Sequence, residues 1–141
     1  MRFLALLLFS LPAYAATEMD IMCLTQNIYH EARGESLEGK IAVGYVTLNR
    51  LRSPHFPKSI CQVVYQDCQF SWACQDRTEQ VNLNEWEESA QVAVNLLKGK
   101  YANNVRNSYY YYNARIVRPR WKHCQKTLRI DNHTFCLTSE K

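Results

Sequence analysis

A chain of 141 residues has room for one domain. Its net charge of +4 favours anionic surfaces slightly, but it is too small to mark a nucleic-acid binder, and an ordinary soluble surface explains it equally well.

The first residues read as an export signal. Arg2 supplies a positive start, Phe3 to Leu11 form an almost unbroken apolar run, and Ala13-Tyr14-Ala15 fits the small-residue rule for signal peptidase. Cleavage is expected after Ala15, leaving residues 16–141 as a single domain. The run is shorter than the roughly 20 apolar residues that a membrane span needs, and no second run follows. Cys23 lacks the preceding residues of a lipid-attachment site. The expectation is therefore a secreted or periplasmic protein with no stable membrane insertion.

Thr17 to Ala32 has helical spacing, with Met19, Met22, Cys23, Ile28 and Ala32 on the apolar side and Thr17 as N-cap. Glu18 and Asp20 suit the first turn. Gly34 interrupts this helix. A second helix is predicted from Leu37 to Leu51, capped by Ser36 and closed by Pro54, and apolar nearly all round, as a central helix is. Pro54 and Pro57 break up Ser53 to Val81, which reads as loops with short pieces of structure. Asn84, with Glu87 three positions on, predicts a helix that buries Trp86, Ala90, Ala93, Val94 and Leu97 and stops at Gly99. The tyrosine-rich run Ser108–Val117 favours strand, and a last strand over Thr134–Leu137 would pair with it. Helices first and strands last make the class α+β.

Six cysteines lie beyond the signal: Cys23, Cys61, Cys68, Cys74, Cys124 and Cys136. An even count in an exported chain predicts three disulfides, with the pairing left open. No C-x-x-C occurs, so a zinc site is not expected. His30-Glu31 begins like H-E-x-x-H, but Gly34 stands where the second histidine would be. Disulfide pairing also leaves no thiol for a cysteine nucleophile.

The densest ionisable cluster is Tyr29-His30-Glu31-Ala32-Arg33-Gly34-Glu35. A carboxyl at a helix end beside a core helix can be half desolvated, which favours its protonated form. A protonated Glu is what cleavage of a glycosidic bond needs. A solvated Glu31, or Arg33 paired with Glu31 or Glu35, is the plainer reading of the same residues.

The stretch Asn27 to Val43, with its E-A-R-G-E core, the following E-G and the closing Leu48-Asn49-Arg50, resembles the signature of the SleB/CwlJ-type cell wall hydrolases, the spore-cortex-lytic family. Phe56-Pro57, Val63-Val64-Tyr65, Gln69-Phe70-Ser71-Trp72, Tyr112-Asn113, Pro119, Trp121 and Asp131-Asn132-His133-Thr134-Phe135 resemble its later elements. Two departures stand out: Asp131 replaces a common glycine, and six cysteines exceed the family's usual number.

The resemblance implies a mainly helical lysozyme-like domain with a small antiparallel sheet and a substrate cleft. It implies a lytic transglycosylase acting on peptidoglycan glycan strands between N-acetylmuramic acid and N-acetylglucosamine. Glu31 would be the catalytic acid, with no metal and no cofactor. Glu35 is the candidate second carboxylate, or else a salt-bridge or capping residue. Phe70, Ser71, Trp72, Tyr111, Tyr112, Asn113 and Trp121 are candidates for binding sugar, by stacking or by hydrogen bonds. His133 is read as a buried structural histidine, and the protein as a monomer. A hydrolytic muramidase and an inactive wall-binding protein are the alternatives.

Overall fold

The computed structural model describes residues 15–75, 79–121 and 123–138, with the side chain of Ser71 left aside. Most of the expected signal segment thus lies outside the described residues. Among the described residues four α-helices, α1 (Glu18–Ala32), α2 (Leu37–Arg52), α3 (Ile60–Tyr65) and α4 (Leu83–Leu97), precede three strands, β1 (Tyr110–Asn113), β2 (Lys126–Ile130) and β3 (His133–Leu137). The strands form an antiparallel sheet in the order β1-β3-β2. The expected α+β class holds. Among the described residues no helix is long and apolar enough to cross a membrane.

The start of α1 is as the sequence predicts. Thr17 accepts from the Asp20 N–H while the Asp20 carboxylate accepts from the Thr17 N–H, so two otherwise unpaired amides are satisfied reciprocally. The buried face is the predicted one at Cys23, Ile28 and Ala32 but not at Met19 and Met22, which are 64% and 48% exposed; Leu24 and Tyr29 complete it in their place. That face packs on α4, α2 and α3. Helix α2 is capped by Ser36 and buried on nearly all sides, as a central helix must be.

Further on the structure corrects the sequence reading in three places. Helix α4 is capped by Asn82, two residues before the predicted Asn84, and its fully buried positions are Ser89, Val92, Ala93 and Leu96. Trp86, Ala90, Val94 and Leu97 are only half-buried there. The first strand is limited to Tyr110–Asn113, because Asn113 accepts from the Arg115 N–H and turns the chain. Strand β2 was not predicted; its alternation of Lys126, Thr127 and Arg129 with Leu128 and Ile130 is that of an edge strand with one wet face.

Three disulfides are present: Cys23–Cys61, Cys68–Cys74 and Cys124–Cys136. The first fastens α3 to α1. The second closes the hairpin of two 3-10 turns, Gln66–Cys68 and Ser71–Cys74. The chain reverses there through left-handed backbone at Asp67 and Cys68, with φ of 48° and 54°. Removing a native disulfide from a small exported domain costs about 2–5 kcal/mol. Replacing Cys23 and Cys61 together with serine should lower stability by that order in denaturant unfolding. An unchanged midpoint would show that α3 docks without the bond.

Candidate active site

Helices α1 and α2 meet at a short elbow over residues 33–36. Gly34 sits at φ 78°, a left-handed conformation open to glycine at no steric cost. The elbow is held from two sides. From α4, the Glu85 carboxylate accepts from the Gly34 N–H at 3.2 Å and from the Lys40 ammonium at 3.2 Å. From the turn between β2 and β3, Asp131 Oδ2 accepts from the N–H and hydroxyl of Ser36 at 2.9 and 2.6 Å.

Asp131 explains its own departure from the family pattern. Its φ is 51°, the kind of backbone that favours glycine, and aspartate is among the few other residues that adopt it readily. The side chain it brings reinforces the cap of α2. The contact requires Gly39, since a Cβ there would stand 2.4 Å from Asp131 Oδ2.

Glu35 also faces the sheet. Its carboxylate accepts from the Asn132 side chain at 2.8 Å and from the Asn132 N–H at 3.4 Å, with His133 Nδ1 at 3.9 Å. Neither plain role suggested for it, pairing with Arg33 or capping α2, is what the structure shows. Arg33 instead pairs with Glu79 at 2.6 Å and donates to the Tyr29 hydroxyl. His133 is buried, as read from the sequence.

Glu31 lies in the last turn of α1 and is half-buried. Its Oε1 accepts from the Trp72 indole N–H at 2.9 Å, and its Oε2 accepts from the Tyr111 hydroxyl at 3.0 Å. Three segments therefore converge on one carboxyl: the end of α1, the disulfide-closed hairpin and β1. Trp72 is clamped between His30 and Phe70, with ring centroids at 4.5 and 5.9 Å. Tyr111 is packed against His133 and Phe135 at 5.1 and 5.3 Å. Burial and the neighbouring Glu31 carboxyl push the Tyr111 phenol well above its ordinary value, so it remains a hydroxyl throughout any working range of pH.

The sugar-binding candidates divide. Phe70 and Trp72, 6% and 7% exposed, are core residues whose faces are occupied by neighbouring rings. Tyr111 touches the carboxyl itself. Tyr112 meets Trp121 edge-on at 4.9 Å, away from that cluster, and Asn113 serves the turn after β1. The Ser71 side chain lies outside the described residues.

Arg50, the last residue of the L-N-R ending, is a part of the site that the sequence does not mark. It is 4% exposed, and its guanidinium sits over the rings of Phe56, Phe70 and Tyr110 at 5.3–5.6 Å. Its Nε donates to the Tyr109 carbonyl at 2.7 Å. Burial lowers its pKa, with Tyr111, Tyr110 and Glu31 acting in opposition. A guanidinium remains charged regardless, so a fixed cation lies behind the aromatic wall of the site.

The cell wall hydrolase family model matches residues 34–136. The chain belongs to the cell wall hydrolase family. The matched stretch begins three residues after Glu31. The spore cortex-lytic enzyme of Bacillus subtilis is 31% identical over 118 residues, covering 83% of this chain and 37% of that protein. The chain thus spans little more than a third of that relative's length. Among solved structures, the catalytic domain of the germination-specific lytic transglycosylase SleB from Bacillus anthracis superposes with a TM-score of 0.71. The identity is 26%, covering 87% of this chain and 98% of that one. The SleB catalytic domain of Bacillus cereus gives 0.70 at 25% identity, covering 87% and 93%. The lysozyme-like fold implied by the sequence resemblance is thereby established.

The clamps around the elbow carry a pH dependence. Hydrogen bonds from Ser36 hold Asp131 below its ordinary 3.8; for Glu85, burial acts in the opposite direction but the Gly34 N–H and Lys40 prevail and keep it below 4.5. Burial holds His133 below 6.5. In each case the unfolded chain binds protons at a higher pH than the folded one. Their stabilisation is therefore complete above the unfolded value and is lost as pH falls towards the folded value. The melting temperature should decline as pH drops from about 7 to about 2, first through His133 and then, below about 4.5, through the carboxylates. Asp131→Asn should flatten the most acidic part of that decline. Thermal melts at constant ionic strength would test both, and a flat profile for the unaltered protein would contradict the assignment.

Proposed function

We propose that this protein is an exported peptidoglycan lytic transglycosylase in which Glu31 acts first as acid and then as base. The observation that carries this reading is the Glu31 carboxyl held on both oxygens by neutral donors, Trp72 on Oε1 and Tyr111 on Oε2. Family membership supports peptidoglycan as the substrate, and the bond we assign is the one implied by the sequence resemblance, between N-acetylmuramic acid and N-acetylglucosamine. The likeness to a solved lytic transglycosylase domain favours the non-hydrolytic route. Cleavage after Ala15, a single domain over residues 16–141, action as a monomer and a site outside the reducing cytoplasm belong to the same proposal. The three disulfides support the last of these.

The donors assign roles to the two oxygens. An indole N–H only donates, which keeps Oε1 as an acceptor. The transferable proton then resides on Oε2, beside a hydroxyl that can both donate and accept and so suits the carboxyl in either state. Glu31 gives that proton to the glycosidic oxygen as the bond from the muramic anomeric carbon breaks. The carboxylate then takes the proton of the muramic 6-hydroxyl as this oxygen bonds to the same carbon. The product is a 1,6-anhydro end; no water is consumed, and Glu31 is again protonated. The 6-hydroxyl is on the same sugar, so its effective concentration far exceeds that of an outside nucleophile. A second carboxylate is not needed, and Glu35 has the turn at Asn132 to hold.

Glu31→Gln should fold with an unchanged melting temperature and lose nearly all activity on wall-containing gels, because an amide cannot donate the proton. Clearing at the normal rate would refute the role of Glu31. Products from purified sacculi should be one water lighter than hydrolysed fragments and should resist borohydride; reducible ends as the main product would make the enzyme a muramidase.

Tyr111→Phe should lower kcat about tenfold to a hundredfold with little change in KM, the range for one lost hydrogen bond to a charged group. A change confined to KM would make Tyr111 a substrate contact instead.

A further inference from the structure

The Cys68–Cys74 bond differs from the other two. It joins residues only 6 positions apart, where Cys23–Cys61 and Cys124–Cys136 span 38 and 12. Both of its cysteines are exposed, whereas each of the others has one buried end, at Cys23 and at Cys136. Trp72 lies inside its short loop and donates its indole N–H to Glu31 Oε1 at 2.9 Å.

The hairpin takes its shape from that bond. Its first turn is fastened to α3, where the Gln69 side chain donates to the Val63 carbonyl at 2.9 Å. Among the described residues the backbone hydrogen bonds stay within one turn or the other: Gln69 to Gln66 in the first, and Ala73 to Phe70 and Gln75 to Trp72 in the second. The disulfide is the covalent tie between the two turns. Asp67 and Cys68 hold left-handed backbone, which residues with side chains disfavour, so an opened turn has an easier conformation to relax into. Burial of rings is non-directional, and the stack of Trp72 with His30 and Phe70 can persist through a small shift. The hydrogen bond to Glu31 cannot, because an N–H···O contact is lost within about an ångström of movement.

We propose that the Cys68–Cys74 bond is a redox-sensitive positioning element for the acid: a dithiol opens it, Trp72 leaves Glu31, and cleavage slows while the helices remain folded. The slowing of cleavage rests on the function proposed above; the release of Trp72 does not. One thiolate of the dithiol attacks a sulfur of the bond, and the other cysteine departs as a thiolate. The second thiolate of the dithiol then displaces the first cysteine and closes its own disulfide. Cys68 and Cys74 together gain two electrons and, on protonation, two protons, and the dithiol loses the same. Such exchange needs access to sulfur, which selects the exposed bond over the two that are half inside the domain.

The test titrates the native protein with dithiothreitol and labels the thiols released with iodoacetamide. Labels should appear first on Cys68 and Cys74, with the helical circular dichroism unchanged. At that point kcat on purified sacculi should be about tenfold to a hundredfold lower with little change in KM, the range for one lost hydrogen bond to a charged group. Reoxidation should restore it. The double variant Cys68→Ser/Cys74→Ser should begin at the low kcat and should not respond to the same dithiothreitol. A bond that resists until helicity is lost, full kcat with both cysteines labelled, or a double variant as active as the unaltered protein overturns the proposal. The position of Trp72 is read separately, from its indole N–H resonance in 15N-labelled protein, which should shift when the bond opens. If oxidised protein cleaves no sacculi but this resonance shifts, the proposed reaction fails and the positioning by the disulfide stands. An unmoved resonance sinks the positioning itself.

Discussion

The elbow between α1 and α2 is the constraint on which the other parts depend. The helical layer and the sheet share few direct contacts, and the elbow is where both take hold of the same residues. Glu85 reaches it from α4, and Asp131 and Asn132 reach it from the turn of β2 and β3. The first two satisfy backbone amides at the elbow, and the third satisfies the buried Glu35 carboxylate, which would be costly to leave unpaired. Glu31 lies only a few residues before the elbow, so fixing it fixes the acid. The same turn sets the position of β3, hence of β1 paired to it, hence of Tyr111. Small displacements at Gly34 or Asp131 would thus be felt as changed geometry around a carboxyl neither residue touches.

The two hydrogen bonds that the Glu31 carboxyl receives from Trp72 and Tyr111 come from neutral donors. Arg50 stands behind them, against the ring of Phe70, which also meets Trp72 and Tyr111. Burial of a guanidinium is costly, and three aromatic faces and the Tyr109 carbonyl offset that cost. The arrangement leaves a fixed positive field where negative charge develops once the proton has left.

The first two helices were legible because periodicity, caps and Gly34 all agreed. The buried face of α1 was misjudged at Met19 and Met22, since methionine counts as apolar in any pattern but the partner helices approach from the side of Leu24 and Tyr29. The start of α4 was displaced because Asn82 and Asn84 are equally good caps, and only tertiary contact chooses between them. Strand β2 is hidden by Lys126 and Arg129, which suit an edge strand but resemble a loop. The disulfide pairs could not be read, because pairing depends on which helices meet. Of the site, Glu31 was visible through its motif. Its two donors were proposed as sugar contacts, because nothing in a sequence shows where the N–H of Trp72 or the hydroxyl of Tyr111 is directed. The partners of Glu35 and the burial of Arg50 are equally products of folding.

The two hydrogen bonds to Glu31 span 41 and 80 positions of the chain. Such contacts close late in folding and open early, since every local fluctuation of the hairpin or of the sheet breaks one of them before α1 and α2 lose their own hydrogen bonds. Catalytic competence is therefore a stricter condition than helicity. A population can keep the circular dichroism of its helices while the acid has already lost its donors, and activity becomes the more sensitive gauge of an intact tertiary structure.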